Sequence, residues 1–561
     1  MRRTGHLHTG RTSPGTALRC GTAVAVITAV LLGATHRAPR LAAPAHQAIA
    51  AALADPATAK GLAGTHLDRV TVTAADDRLD RVSFFTGGRI VGEVAVDLKD
   101  RVEHSLTYRH RSVPYGNWIA YQPALLVCLS ALFVLTAGVA PLRRMRNLDV
   151  AMALSLLAPV VILRERFIDA SVIASVPGLA YLLLRCGCAA FSPRADAPPS
   201  RPLLAVVIPS CDIAVRVRIL RLILIALALV FVMVGVSSTD AVDVAYAVME
   251  GATKLLHGVL PYGHMSGDVV HGDTYPLLSY VLYSPLALVS PVRSTWDSVD
   301  LGLAAAVAAA LASAGLIRSV VAAASVTRFG GRSLEAREAG LGAAIAWLSF
   351  PPALIAVSSG TTDVALGALL LGALALWRRP ALATGMLAAA GWLKLAPFAL
   401  VPVWLAPMRR CQLGGALAAV AFVSAPLLIL LVALGGLGGV TAMVDALSFQ
   451  LRRSSPQSVS AALGIGALQP LAQGAVLGLI VAAVIRLRAD RTLATDRARV
   501  AALSAAILIG LQLSAAYWTF LYLTWVLPLL CISVLGTTAP SAEHAGRPAS
   551  VRAPLREALA S

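Results

Sequence analysis

One layout recurs along this chain: an apolar run close to the roughly 20 residues a membrane helix needs, then a short loop rich in arginine. Of 561 residues, 57% are hydrophobic and only 14% are charged, and the charges fall between the apolar runs rather than within them. A water-soluble core has no place for that much apolar sequence. The expected fold class is therefore an all-α polytopic membrane protein with about 13–14 transmembrane helices. The net charge of +18 does not point to nucleic acid as a partner. Most arginines stand beside apolar runs, where positive charge marks the cytoplasmic side and membrane lipids are the neighbours. Lysine is scarce, occurring at 60, 99, 254 and 394. The cysteines (20, 128, 186, 188, 211, 411 and 531) avoid the large polar region 36–118, which argues against a disulfide framework. Cys186 and Cys188 have no metal-ligand partners in sequence and read as small apolar fillers at a helix end.

In chain order, 1–35 reads as an N-terminal anchor or signal segment, with arginines ahead of an apolar stretch at 20–34. Residues 36–118 are expected outside the membrane as a small extracytoplasmic α+β domain. Alternation in V-T-V-T…V-S-F-F-T-G-G-R-I-V-G-E-V-A-V predicts a short helix near 44–54 and three or four strands, with a turn at Gly87-Gly88. Residues 119–218 hold additional transmembrane helices and a cytoplasmic linker, 219–536 the membrane core, and 537–561 a cytoplasmic tail.

Charge bias sets the expected sidedness. The loop Arg143-Arg144-Met145-Arg146 and the linker 192–218 go to the cytoplasm, so Ser237 emerges outside. The Pro-punctuated segment 275–291 is read as interfacial or re-entrant, which keeps Arg328, Arg332 and Arg337 inside. Both ends of 381–408 should be cytoplasmic, so this run is expected to be two short helices meeting at Lys394, near the outer face. Residues 435–462 are expected as an outer loop.

On this topology the outer face gathers Asp240, Asp243, Glu250, Lys254, His257, His264, Asp273, Asp363, Lys394, Asp445, Arg452 and Arg453. Helical spacing over 240–257 puts Asp240, Asp243, Glu250, Lys254 and His257 on one face and Val242, Ala245, Tyr246, Met249 and Leu256 on the other. That pattern predicts a helix lying along the membrane surface, apolar side down. Carboxylates with cations nearby suit a reaction in which a hydroxyl loses its proton and a phosphate leaves. Asp243 is the preferred base, whereas Asp240 reads equally as a helix cap. Lys394 is an ionisable residue in an apolar run, a functional site by default unless it snorkels to lipid phosphate. His264 and His271 lack metal-ligand spacing, so no metal site is assigned; cofactors stay unknown and a divalent metal stays open.

The stretch D-V-A-Y-A-V-M-E-G-A-T-K-L-L-H-G-V-L-P-Y, followed by T-Y-P-L-L-S-Y-V-L-Y-S-P, resembles the first outer loop of the GT-C membrane glycosyltransferases. It is nearest to the polyprenol-phosphate-sugar-dependent mannosyl- and arabinofuranosyltransferase branch, with its D-x-x-Y, G-x-x-P-Y and Y-P-P-L pattern. G-T-T-D-V-A-L, G-M-L-A-A-A-G-W-L-K-L-A-P and F-Q-L-R-R-S-S-P-Q-S resemble later motifs of that group, in the same order, over about 215–535. Leu277 replaces the second proline, and Asp363 stands where many relatives carry amide-like residues.

The resemblance implies an inverting transferase. Its donor would be a polyprenyl-phosphate-linked sugar, hexose or pentose, and its acceptor a glycan or glycolipid hydroxyl outside the cytoplasm. Asp243 would take the proton, and Lys394, helped by Lys254 or Arg453, would hold the leaving phosphate. Tyr262 and Tyr275 would stack on sugar, and His257, His264, Asp273 and Asp363 would line the substrate site. Two alternatives remain open at this level: a transporter or flippase of lipid-linked sugars, and a non-catalytic scaffold.

Overall fold

The computed structural model describes residues 44–535 apart from 75–78, 87–88, 98, 100, 108–115, 166, 192–200, 208–211, 239–240, 267–268, 270, 294–296, 330–332, 453–456 and 491. Among them, 7 helices are long and apolar enough to cross a membrane, and the bent pair Leu334–Leu348 and Pro351–Ser358, angled by 58°, makes up to 8. Shorter apolar helices fill out the bundle: Pro123–Ala137, Asp363–Ala375, Pro380–Leu393, Ala396–Leu405 and Phe520–Ile532. The protein is thus a predominantly helical membrane protein that carries a two-residue strand pair, Val139–Ala140 with Arg201–Pro202, and a small four-stranded sheet.

That sheet belongs to the N-terminal α+β unit. Helices Ala45–Ala54 and Pro56–Leu62 precede four antiparallel strands, β1 (Arg69–Ala74), β2 (Leu79–Thr86), β3 (Arg89–Asp97) and β4 (Val102–Thr107), in the order β1-β2-β3-β4. Gly87-Gly88 lies outside the described residues, but the strands flanking it pair up to Thr86 opposite Arg89. Val94 and Val96 point inward onto Ala48 and Ala52, with half-exposed Glu93, Ala95 and Asp97 between and beside them, so one sheet face is covered. A bulge at Phe84/Phe85 lets both rings bury. Phe84 joins the core, and Phe85 sits under the Arg69 guanidinium at 4.1 Å.

The breaks in the helices have local causes. Pro397 lacks an N–H and its ring would clash with the Leu393 carbonyl four residues back, so the helix Pro380–Leu393 stops at Lys394, whose backbone is extended, and a short helix restarts at Ala396. This is the predicted meeting of two short helices. The expected outer loop 435–462 is different. The helix Arg410–Arg452 extends into it as far as Arg452, interrupted at Gly436, whose φ of 59° and ψ of −154° only glycine adopts readily. The residues after Gly436 are apolar enough at Val440, Met443 and Leu447 to keep a helical face against the loop beneath.

Long-range contacts sort into two faces. At one, Arg69 pairs with Glu165 at 2.6 Å. The Asn117 side chain there donates to Val234 and Ser237, and the Val242 amide donates to Ser359. At the other, Arg216 pairs with Glu338 at 2.7 Å, Arg146 donates to the Leu535 carbonyl, and Trp377 donates to Ala494. These contacts join residues that the expected topology puts on the same side, although Glu165 stands in the loop Arg164-Glu165-Arg166, which runs against the charge bias.

Candidate active site

The helix predicted over 240–257 spans Asp243–Leu256. Its expected posture, lying open on the membrane surface, is corrected by its burial: Val244 through Thr253 are all enclosed by protein, Glu250 with 1% of its surface exposed. The polar face is enclosed because the following loop satisfies it. The Ser266 amide and hydroxyl each donate to a Glu250 oxygen at 2.8 Å, and Lys254 reaches Glu250 at 3.3 Å. Gly272 lets the same loop press on the helix, since a Cβ there would stand 2.7 Å from the Ala247 methyl. The capping position is Val242, not Asp240, which lies outside the described residues. Asp243 opens the helix, exposed, where negative charge suits the helix dipole.

The tertiary fold brings Asp363 and Lys394 together. Lys394 Nζ lies 2.8 Å from Asp363 Oδ1; the Asp363 side chain is fully buried and that of Lys394 is 11% exposed. The Trp525 indole donates to the same oxygen at 2.7 Å, and the Thr361 hydroxyl donates to Oδ2. Both carboxylate oxygens of Asp363 are therefore occupied, and it serves as counter-ion and anchor rather than base. Around the ammonium stand the rings of Tyr522, Tyr275 and Trp525, with centroids at 5.1, 5.3 and 5.7 Å. Such faces attract a cation and keep water away from it. Tyr275 also reports on Asp243: its hydroxyl is pushed well above the ordinary range, first by burial and then by the Asp243 charge.

Several predicted site residues do not join this centre. Lys254 lies 11 residues along the helix from Asp243, about 16 Å at 1.5 Å per residue, and is paired with Glu250. His257 closes the helix, its Nδ1 2.7 Å from the Thr253 carbonyl. Tyr262 is buried edge-on against Tyr280 and donates to the Tyr275 carbonyl at 3.1 Å, so it shapes the loop and has no face open for a sugar. His264 is exposed with Nδ1 2.8 Å from the Tyr262 carbonyl. Asp273 accepts from the Gly263 amide at 2.9 Å and faces a separate cavity. Arg453 lies outside the described residues.

Two members of the centre were not singled out from sequence, Tyr522 and Trp525. Their signal was the aromatic density of Y-W-T-F-L-Y-L-T-W at 517–525 in a chain with only 6% aromatic residues. Among the described residues no group of three or more His, Cys, Asp or Glu is placed to hold a metal ion. No protein-family model and no curated protein matches this chain, so its chemistry has to be read from the geometry.

Proposed function

We propose that the chain is an inverting membrane transferase of the GT-C kind, moving a sugar from a polyprenyl-phosphate donor to a glycan or glycolipid hydroxyl. The observation that supports this most is the Lys394 ammonium, held 2.8 Å from the buried Asp363 carboxylate and faced by the rings of Tyr275, Tyr522 and Trp525; Asp243, the exposed carboxylate that opens its helix, is the base the reading assigns. In the reaction the acceptor oxygen attacks the anomeric carbon and Asp243 takes its proton. The bond from that carbon to the phosphate oxygen breaks, and the polyprenyl phosphate leaves with the electron pair. Charge then grows on the phosphate, where a poorly hydrated cation stabilises it most. Asp363 and Trp525 hold the ammonium in position before the phosphate arrives.

The finer topology belongs to the same proposal. The long spans, the bent pair and the shorter apolar helices give the 13–14 crossings the reading calls for only if the short helices also cross. The arginine-rich face is then cytoplasmic, and the α+β unit, Asp243 and Lys394 are outside the cell membrane. Transport of lipid-linked sugar is the second reading, favoured by the breaks at Lys394, at Gly436 and before Pro351, since transporters build sites from interrupted helices.

The test is sugar transfer by purified protein in nanodiscs from a panel of polyprenyl-phosphate mannose, arabinofuranose and glucose donors. Asp243→Asn should lower the rate about 10²–10⁴-fold, the range for a lost general base, with donor binding retained. Normal transfer by that variant would remove Asp243 from the mechanism. Absence of transfer by the wild type, with movement of donor lipid across liposomes, would favour the carrier.

A further inference from the structure

Gly116 and Asn117, which follow the α+β unit in sequence, lie against the end of the helix Pro351–Ser358. Gly116 has a φ of 91°, and a Cβ there would stand 2.5 Å from Ser358 Oγ and 2.6 Å from the Ile355 carbonyl oxygen. The two segments approach this closely only because the position carries no side chain. Asn117 is buried, and its polar groups all find partners. Its backbone N–H donates to Ser358 Oγ at 3.0 Å. Its side-chain Nδ2 donates to the Val234 carbonyl at 2.9 Å and to Ser237 Oγ at 3.1 Å, while Oδ1 accepts from the Ile119 amide at 3.0 Å. Val234 is in the last turn of the helix Ile213–Val236, where carbonyls find no N–H further along the helix, so the Asn117 amide closes that helix end.

Both segments that Asn117 holds run on into the charged groups of the site. From Ser237 the chain leads to Val242 and Asp243, and from Ser358 it leads through Thr361 to Asp363. The two are fastened to each other on the way. The Val242 amide donates to the Ser359 carbonyl at 2.9 Å. Gly360, with a φ of 74°, stands where a Cβ would be 3.1 Å from the Ala245 methyl on the Asp243 helix. Thr361 Oγ1 then accepts from the Asp363 amide at 3.2 Å and donates to its carboxylate, and Asp363 holds the Lys394 ammonium at 2.8 Å. We infer that Asn117 is a positioning residue: by clamping the turn Ser358–Asp363 to the end of the helix Ile213–Val236, it fixes the Asp243 carboxylate relative to the Lys394 ammonium. The residue type follows from the partners. A primary amide brings two N–H donors and an acceptor in one plane, an aspartate brings no donor, and a serine has a single O–H on a shorter side chain. A segment outside the region that resembles the transferases is thereby part of the framework of the site.

That the positioning serves sugar transfer rests on the transferase reading; the positioning itself does not, and two measurements on purified full-length protein in nanodiscs separate them. Asn117→Ser retains a cap for the Ile119 amide and removes the two side-chain donors, whereas Ser358→Ala removes only the hydroxyl that receives the Asn117 N–H. Amide hydrogen exchange reads the clamp directly. At the Val242 and Asp363 amides it should quicken about tenfold in each variant, the size of a lost hydrogen bond in a locally opening segment, while amides of the helix Arg497–Ser514 keep the wild-type rate. In transfer assays on the same preparations, kcat per folded molecule should fall about 10–10²-fold with the donor KM near the wild-type value, as for reacting groups displaced with their binding contacts intact. Unchanged exchange at the two amides in either variant would overturn the inference. So would a wild-type kcat per folded molecule in a variant whose amides exchange faster, which would make Asn117 a structural residue only. Faster exchange in both variants with no transfer by the wild type would uphold the positioning and overturn the transferase reading.

Discussion

Asp149 and Asp363 are buried carboxylates that meet their cations differently. Asp149, on the helix Met145–Ser155, receives the Arg185 guanidinium at 2.9 and 3.1 Å from its two oxygens and the Tyr181 hydroxyl at 2.7 Å. Asp363 receives the single ammonium of Lys394 together with an indole and a hydroxyl. The arginine spreads its charge over a planar group whose Nε is shared by both carboxylate oxygens, and it and Tyr181 come from one helix, Ile168–Phe191, packed beside the helix that carries Asp149. Lysine brings a compact charge on a flexible stem, touched by one carboxylate oxygen and otherwise faced by aromatic rings. The first arrangement fastens the N-terminal helices to one another. The second leaves a cation with attraction to spare for an incoming anion. Burial alone therefore does not mark a functional ion pair; the way the cation's remaining directions are filled does.

The largest effect should come from breaking the fastener. Asp149→Ala strands Arg185 in the bundle, and the expected loss is about 3–5 kcal/mol of stability. Thermal unfolding in detergent should show it, while transfer per folded molecule stays at the wild-type level. A variant as stable as the wild type would erase the distinction between the two pairs.

At the other pair the loss should appear in rate. Lys394→Met should lower transfer about 10²–10³-fold, as when one preorganised electrostatic contact is removed. It also strands the fully buried Asp363 carboxylate, so a stability loss comparable to that of Asp149→Ala accompanies it and the rate is read per folded molecule. Lys394→Arg should rescue only in part, since a planar fork does not reproduce a point charge. Steady-state rates beside melting curves for the same preparations decide it, and a Met variant that is merely unstable would make Lys394 a second fastener.

Trp525 tests whether the lysine is positioned or only present. Trp525→Phe keeps an aromatic wall and deletes the indole N–H, so transfer should drop about tenfold, near 1.5 kcal/mol for a hydrogen bond to a charged group. Combined with Lys394→Met it should add little, because both changes act on one unit. Full additivity in the double-mutant cycle would separate Trp525 from the lysine.

The smallest effect marks the exposed limit of the series. Asp55 caps the helix Pro56–Leu62, accepting the Thr58 amide and hydroxyl at 2.8 Å each. Those bonds hold its carboxyl below the ordinary range, the backbone bond most of all. A depressed folded value means stability that is present above the unfolded pKa, about 3.9, and lost as pH falls through the folded value. Asp55→Ala should therefore cost about 1 kcal/mol of local stability at neutral pH. Hydrogen exchange at the Thr58 amide should show that difference shrinking toward nothing in strong acid; an unchanged difference there would contradict the cap.

Much of this was legible in the chain before folding. Apolar runs and arginine loops require a helical membrane protein because a bilayer offers no hydrogen bonds to an unpaired backbone. Period-2 alternation required strands in the N-terminal unit, and Pro397 required a break beside Lys394, both from local sterics. Helical spacing also gathered Glu250, Lys254 and His257 onto one face, correctly as geometry. What spacing along one helix does not contain is what will cover that face, and here the loop carrying Ser266 covers it. Lys394, Asp363 and Tyr275 were site candidates from sequence, but that they touch one another, and that Trp525 joins them, was beyond it for the same reason. Asp363, Lys394, Tyr275 and Trp525 stand on four segments far apart in the chain, and each by itself reads as a helix end, a snorkelling cation or an apolar filler. Only tertiary packing decides which of them share a few ångströms of low-dielectric space, and there a charge and its neighbours become chemistry.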